Sequence, residues 1–306
     1  MTFTSIAFVI FIILITFFYY ISPAKFRWLI LLIGSCYFYM AFVPKYILIL
    51  FVLIIIDYVL AQKIESSLGT KRKIFFIGSL VSNIGLLFVF KYFNFFNENI
   101  LNLAHLLHWN YSIGTLSLIL PLGLSFHTFQ SMSYIIEVYR GNYKAEKHLG
   151  IYALYVLFFP QLVAGPIERP EHLLPQLKKD IPFEFSNIVI GLRLMLWGFF
   201  KKLVVADRLA ISVTYVYAHI SNVSGLSIVI TIIFFAFQLY ADFSGYSDIA
   251  RGSAKLLGID VIRNFNQPYF SKSVAEFWRR WHISLSSWFR DYFYFPLVYS
   301  RKQTTR

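Results

Sequence analysis

The stretch FFAFQLYADFSGYSDIARG (residues 234–252), followed by EFWRRWHISLSSWFRDYFYFPL (residues 276–297), decides how this sequence is read. Asp242, Ser244, Tyr246, Asp248 and Arg251 follow directly on the hydrophobic run 226–240. The second half sets Arg279, Arg280, His282, Ser284, Ser286, Ser287, Arg290 and Asp291 among tryptophan and phenylalanine rings. At helical spacing Gln238, Asp242 and Gly245 share one face, and Trp278, His282 and Ser286 share another. Acids, bases and hydroxyls beside a lipid-facing segment are costly unless they line a cavity or pair with each other. This stretch is therefore read as the functional centre of a membrane protein.

Composition points the same way. Of 306 residues, 58% are hydrophobic, 20% aromatic and only 14% charged, whereas an ordinary soluble domain is about a quarter charged. The formal charge of +13 would suggest nucleic acid in a soluble protein. Here the basic residues sit between hydrophobic runs, the pattern of the positive-inside rule, and nucleic-acid binding is set aside. The single cysteine, Cys36, lies in an apolar run, so no disulfide within the chain and no cysteine-based metal site can be built. Residues 3–21 carry neither a basic n-region nor a small-residue cleavage site and read as a retained first helix.

A spanning helix needs about 20 mainly apolar residues. Runs 3–21, 26–43, 46–61, 74–90, 116–139, 186–205 and 226–240 read as such helices. The basic turn 22–27, the linker 62–73 and the loop 140–148 then fall inside, with the N-terminus outside. Residues 94–111 are expected as an external loop or interfacial helix, with His105 and His108 a wet surface pair rather than a metal site. Run 149–166 lies between two basic loops, the second holding Arg169, Lys178 and Lys179, and so breaks the alternation. Pro160, Gly165 and Pro166 suggest that it dips in and returns, which is tolerated where backbone lines a protein-enclosed cavity. Pro121 and Gly123 break or kink 116–139. Asp57 and Lys91 read as snorkelling or locally paired charges near span ends, and Arg193 as interfacial. A short helix 247–257 ends at Gly258, a turn covers 264–268, and Ser273 with Glu276 makes a capping-box start. No internal repeat appears, and residues 1–306 form one domain. The expected fold is all-α: a polytopic transmembrane protein with re-entrant and interfacial helices around a central polar tunnel.

Four segments carry a resemblance: LPLGLSFHTFQSMSYIIEVYRG (120–141), FFPQLVAGPIERP (158–170), QLYADFSGYSDIARG (238–252) and NFNQPYFSKSVAEFWRRWHISLSSWFRDYFYFPL (264–297). In this order they resemble the membrane-bound O-acyltransferase family, in its bacterial alginate- and peptidoglycan-type polysaccharide O-acetyltransferase branch. The resemblance implies an inner-membrane, multi-pass acetyltransferase that draws on acetyl-CoA and holds no bound cofactor. It implies as partners membrane lipids, a periplasmic or extracellular acyltransferase, and a polysaccharide acceptor. It also implies a second histidine, the one usually held to be catalytic, in a Trp-His-Gly setting within a following hydrophobic segment, and none of the seven histidines here stands in that setting. The sequence reaches Arg306 in a basic linker before such a segment, so a C-terminally truncated chain is expected. His127 departs from the family, which commonly has an aromatic there, and no function is attached to it.

Acyl transfer to a hydroxyl needs a base for its proton and donors for the developing oxyanion. His282 is the candidate catalytic residue, with the Ser286 hydroxyl one turn away. Asp242 or Asp248 could orient its imidazole. Arg279, Arg280 and Arg290 could bind phosphates of coenzyme A or an acidic glycan. Gln238, Asp242, Asp248, Arg279, Arg280, Ser286 and Arg290 are the candidate substrate- or tunnel-lining residues. Three alternatives stay open. His282 could organise the tunnel rather than act as base. The arginines could form an interfacial helix with a structural Arg290–Asp291 network. The chain could instead be a truncated scaffold of an acetylation complex, or a transporter or channel subunit. For Gln161 and Glu168, a structural role and substrate contact weigh equally.

Overall fold

Backbone surrounded by lipid must pair its own polar groups, and a helix does so within one segment. The computed structural model describes residues 1–116, 123–162 and 165–304, and it is helical, with no strand among the described residues. Helices α1 (Ile6–Ile21), α2 (Ala24–Met40) and α3 (Tyr46–Ser66) follow the expected runs. Helix α4 (Gly69–Leu87) then passes through a π-helical turn (Phe88–Tyr92) into α5 (Phe93–Leu106). Residues 93–106 are therefore the helix rather than the loop of the two expected alternatives, continuous with α4 because no glycine or proline interrupts 86–106. The helix stops where His108 turns left-handed, at φ 52°. Helix α6 (Leu124–Arg140) begins after Gly123, at φ 72°, whereas Pro121 lies outside the described residues. Short helices α7 (Leu149–Leu157) and α8 (Pro170–Lys178) precede α9 (Phe185–Phe199), which runs through a second π-helical turn (Phe200–Ala206) into α10 (Asp207–Ala218). Helix α11 (Gly225–Leu256) leads to α12 (Val274–Arg280), α13 (Ile283–Phe289) and α14 (Phe295–Thr304).

Three of these units are long and apolar enough to cross a membrane: Tyr46–Ser66, Gly69–Leu106 and Gly225–Leu256. Their outer faces carry exposed side chains such as Leu48, Val81 and Ile232, while polar groups are turned inward. Asp57 illustrates the inversion. It sits within α3 at 0% exposure, accepting hydrogen bonds from Ser79 Oγ (2.5 Å) and Asn83 Nδ2 (2.9 Å) on α4. It is locally paired and does not snorkel, because it lies too far from either end of α3 to reach water.

The basic turns meet at one end of the bundle. Arg27 donates to Asp180 Oδ1 (2.9 Å) and the Ile181 carbonyl (2.6 Å), and Arg72 to the Tyr139 carbonyl (2.7 Å). Glu146, just before α7, is ion-paired with Lys178 at the end of α8. The run between them therefore enters and returns to the same end. At 9 residues α7 is about 14 Å long, too short for a core of about 30 Å, and residues 151–162 are buried throughout. Residues 163–164 lie outside the described part of this re-entrant segment.

Just beyond it, Glu168 is fully buried. It accepts from the Ile262 N–H (2.6 Å), and its other oxygen meets His172 Nδ1 (2.6 Å). This hydrogen bond raises the His172 pKa above the ordinary imidazole range. Gln161 also joins buried polar groups, accepting from Gln130 Nε2 at 3.1 Å.

Helix α11 runs unbroken for 32 residues, where two helices separated near residue 240 were expected. Gly245 does not break it because it serves as a contact point. A Cβ on Gly245 would lie 2.9 Å from the Gly198 carbonyl, and one on Gly252 would lie 2.6 Å from the Gly191 carbonyl. The antiparallel α9 and α11 thus touch backbone to backbone at two glycine pairs. Close approach of this kind is how helices associate in lipid, where burial alone gives no drive.

Two outcomes follow from this packing. Gly245→Val should destabilise the protein by about 1–3 kcal/mol through overpacking, while Gly85→Ala, where the added Cβ meets nothing within 4 Å, should be neutral or slightly stabilising. Thermal unfolding in detergent reads both. Because the folded-state pKa of His172 is raised, its contribution is full below about pH 6.5 and is lost as pH rises through the raised value. His172→Gln should remove that pH dependence from the melting curve.

Candidate active site

The linker after α11 is tied down from both sides. Gly258, left-handed at φ 75°, ends the helix, and Tyr20 Oη caps the Leu256 carbonyl at 3.0 Å. Gln176 of α8 brackets Asp260, donating to its carbonyl (3.0 Å) and accepting from its N–H (2.8 Å). Glu168 holds Ile262 as described. The linker then pairs with the α12–α13 junction: Asn264 O accepts from Ile283 N, and Asn266 N donates to Arg280 O, both at 2.9 Å. Asn264 Oδ1 also accepts from Ser284 N (3.0 Å), so it caps the first turn of α13.

This pairing forces a sharp turn at His282, which stands left-handed at φ 44° and ψ 55°. A left-handed residue other than glycine costs about 1–2 kcal/mol and persists only where its surroundings over-determine it. The imidazole is 8% exposed. Its centroid lies 4.8 Å from Phe243 (edge-on), 6.3 Å from Phe126 (stacked) and 6.5 Å from Phe265. Burial among these rings lowers its pKa below the usual imidazole range. Nδ1 has no hydrogen-bond partner among the described residues, and the same holds for Asn264 Nδ2 and Ser284 Oγ beside it. These three atoms without partners belong to residues joined at one turn by the Ile283–Asn264 and Ser284–Asn264 hydrogen bonds.

The turn corrects one expectation. Trp278 belongs to α12 and Ser286 to α13, so Trp278, His282 and Ser286 do not share a helix face. The Ser286 hydroxyl donates to the Trp281 carbonyl (3.3 Å), not to the imidazole. Half of the capping box at α12 forms: Ser273 Oγ accepts from Glu276 N (3.1 Å), but the Glu276 carboxylate accepts from Lys272 N (2.8 Å) instead of the Ser273 N–H.

The acids of α11 face elsewhere. Asp242 pairs with Lys202 (2.5 Å), which also binds Asp207 (2.7 Å), and Asp248 pairs with Lys201 (2.5 Å). Neither carboxylate orients His282. Both lysines come from the π-helical turn Phe200–Ala206, whose extra residue per turn swings them onto α11. Gln238 keeps a buried Oε1 without a partner among the described residues, one turn before Asp242. Arg279 is exposed and bonds within its own helix to Ala275 O (3.3 Å). Arg280 pairs with Glu276 (2.5 Å). Arg290 pairs with Asp291 (2.7 Å), which also binds Arg169 (3.0 Å) and, through its carbonyl, Arg140 (3.0 Å). The structural Arg290–Asp291 network is therefore formed. Trp288 locks α13 to α6 by donating to Ser133 Oγ at 2.8 Å.

Asn264, Ser284, Lys201 and Lys202 are the partners that sequence reasoning did not select. A pair of lysines inside an apolar run facing two aspartates on the next long run was the available clue for the ion pairs. Asn264 gave none beyond its place before Pro268.

Residues 148–305 match the model of the membrane-bound O-acyltransferase family. The chain is 35% identical over 297 residues to a peptidoglycan O-acetyltransferase of Helicobacter pylori, covering 88% of this chain and 55% of that protein. It is 36% identical over 289 residues to the probable alginate O-acetylase AlgI of Pseudomonas aeruginosa, covering 94% of this chain and 55% of the relative. A teichoic acid D-alanyltransferase of Bacillus subtilis matches at 31% over 188 residues, covering 60% of this chain and 47% of that protein. The chain spans about half the length of the curated relatives it matches. With the family match running from His148 through the whole of the His282 turn, this helical membrane protein belongs to the membrane-bound O-acyltransferase family.

Proposed function

We propose that this chain supplies the acyl-transfer centre of a membrane O-acetyltransferase. It takes an acetyl group from a cytoplasmic thioester, acetyl-CoA, and moves it across the membrane toward hydroxyls of a cell-surface or extracellular polysaccharide. A periplasmic or extracellular acyltransferase is the partner that receives it where transfer is not direct. The basic end of the bundle then faces the cytoplasm, and the chain crosses the inner membrane several times. The observation that carries this reading is the buried His282 imidazole, held in a left-handed turn with Nδ1 open. The relatives' names support the acceptor class, since two of them are described as acetylating peptidoglycan or alginate. Transport through the charges of α11 is disfavoured, because Asp242 and Asp248 are each closed by a lysine.

In the transfer a hydroxyl oxygen attacks the thioester carbonyl carbon. The C–O bond forms, the C–S bond breaks, and the hydroxyl proton passes to a base and on to the leaving sulfur. His282, neutral because it is buried, accepts and returns that proton. Asn264 Nδ2 and Ser284 Oγ are the donors at hand for the developing oxyanion.

Labelled acetyl-CoA given to membranes carrying the protein with its acceptor tests this, with acetyl ester as the readout. His282→Ala should lower transfer about 10²–10⁴-fold without loss of helical circular dichroism, and unchanged transfer would overturn the assignment. Asn264→Ala should lower kcat by about 10²-fold while KM stays nearly constant. An equal loss confined to KM would mean that Asn264 binds substrate rather than stabilising charge.

A further inference from the structure

At the basic end, away from His282, a cavity of about 220 Å³ opens between the α1–α2 turn, α7 and the end of α8. Its floor is apolar, made by Leu31, Ile151 and Ile259, and Trp28 forms one wall. The Trp28 ring lies against Gly150, where a Cβ would collide with it, and meets His148 edge-on at 4.6 Å. Four cations line the rim, Lys25, Arg27, Lys178 and Lys179, against one carboxylate, Asp180. Asp180 is taken by Arg27, and Lys178 by Glu146. Lys25 and Lys179 have no ion-pair partner among the described residues. Arg27 also lies over the rings of Tyr19 (5.2 Å) and Tyr20 (5.8 Å). Tyrosine and tryptophan gathered in this way mark headgroup depth.

We propose that this cleft binds the phosphate of an anionic phospholipid, with Lys25 and Lys179 as the charge partners and the Trp28 wall beside the glycerol and upper acyl carbons. Two lysines without ion-pair partners among the described residues, Lys179 and Lys25 (its ammonium 5.0 Å over the Phe26 ring), line one cavity with an apolar floor, which suits a headgroup attached to a chain. A soluble phosphate ester would share the charge contacts but leave that floor uncovered. Basic pockets between membrane helices bind anionic headgroups by this combination.

The test uses the purified protein in detergent, with phosphatidylglycerol binding followed by native mass spectrometry. Lys25→Gln with Lys179→Gln should weaken binding about 30-fold, from about 1 kcal/mol per lysine. Lys71→Gln with Lys73→Gln, an equal charge loss in the first turns of α4, should leave it within about twofold. Equal losses in both pairs would mean only diffuse attraction and would overturn the site. Brominated phosphatidylglycerol should quench the unmodified protein, and the part of that quenching that saturates with headgroup binding should vanish in Trp28→Phe while the other five tryptophans keep theirs, a readout that needs no charge variant. Quenching unaffected by Trp28→Phe would overturn the proposal. So would tight binding of glycerol phosphate alone, since the occupant would then be a soluble ester.

Discussion

The backbone contact between α9 and α11 is the constraint on which the rest of the structure depends. In lipid, apolar burial does not drive helices together, so association rests on van der Waals contact and on polar pairs closed between them. Gly191 with Gly252 and Gly198 with Gly245 bring the two helices close enough for both. The π-helical turn that follows Gly198 then swings Lys201 and Lys202 onto Asp248 and Asp242. Phe243, one wall of the imidazole box, lies two residues from the Gly245 contact. Any change in the crossing therefore moves the wall of the candidate site.

The opposite wall is fixed by polar nodes rather than by packing. Glu168 holds the linker after α11, Asn264 holds the first turn of α13, and Asp291 ties Arg140, Arg169 and Arg290 together. Hydrogen bonds in a low-dielectric interior are strong when complete and costly when broken. Three such nodes on one chain segment leave it little freedom, which explains how a residue with a side chain can be held at positive φ. The same nodes connect the re-entrant α7–α8 unit to the site, so the two are parts of one assembly.

Much of the fold was legible because hydropathy and charge placement are sums over many residues. The long apolar runs, the basic end and the return of 149–166 to that end all came from such sums. What hydropathy cannot convey is where polar groups point once helices cross. Asp242 and Asp248 looked like partners for His282 because they are near it in sequence, yet the lysines 40 and 47 residues away claimed them. Helical periodicity failed at Trp278–Ser286 because the turn at His282 is imposed by the linker, through backbone pairing that no local pattern encodes. It failed in the opposite direction at residues 240–247, where polar residues suggested an interruption that the backbone had no reason to make. Asn264 was legible only as a turn former, since its capping role depends on a helix that begins nineteen residues later.

The left-handed turn at His282 has an evolutionary consequence. Glycine would adopt φ 44° without strain, and asparagine with less strain than histidine. Selection for folding alone would therefore favour either residue over histidine at this position. If His282 carries the proposed proton transfer, stability and chemistry compete at this position. In a library of random variants ranked by folded yield and by acyl transfer, the two orderings should diverge most sharply at this one residue.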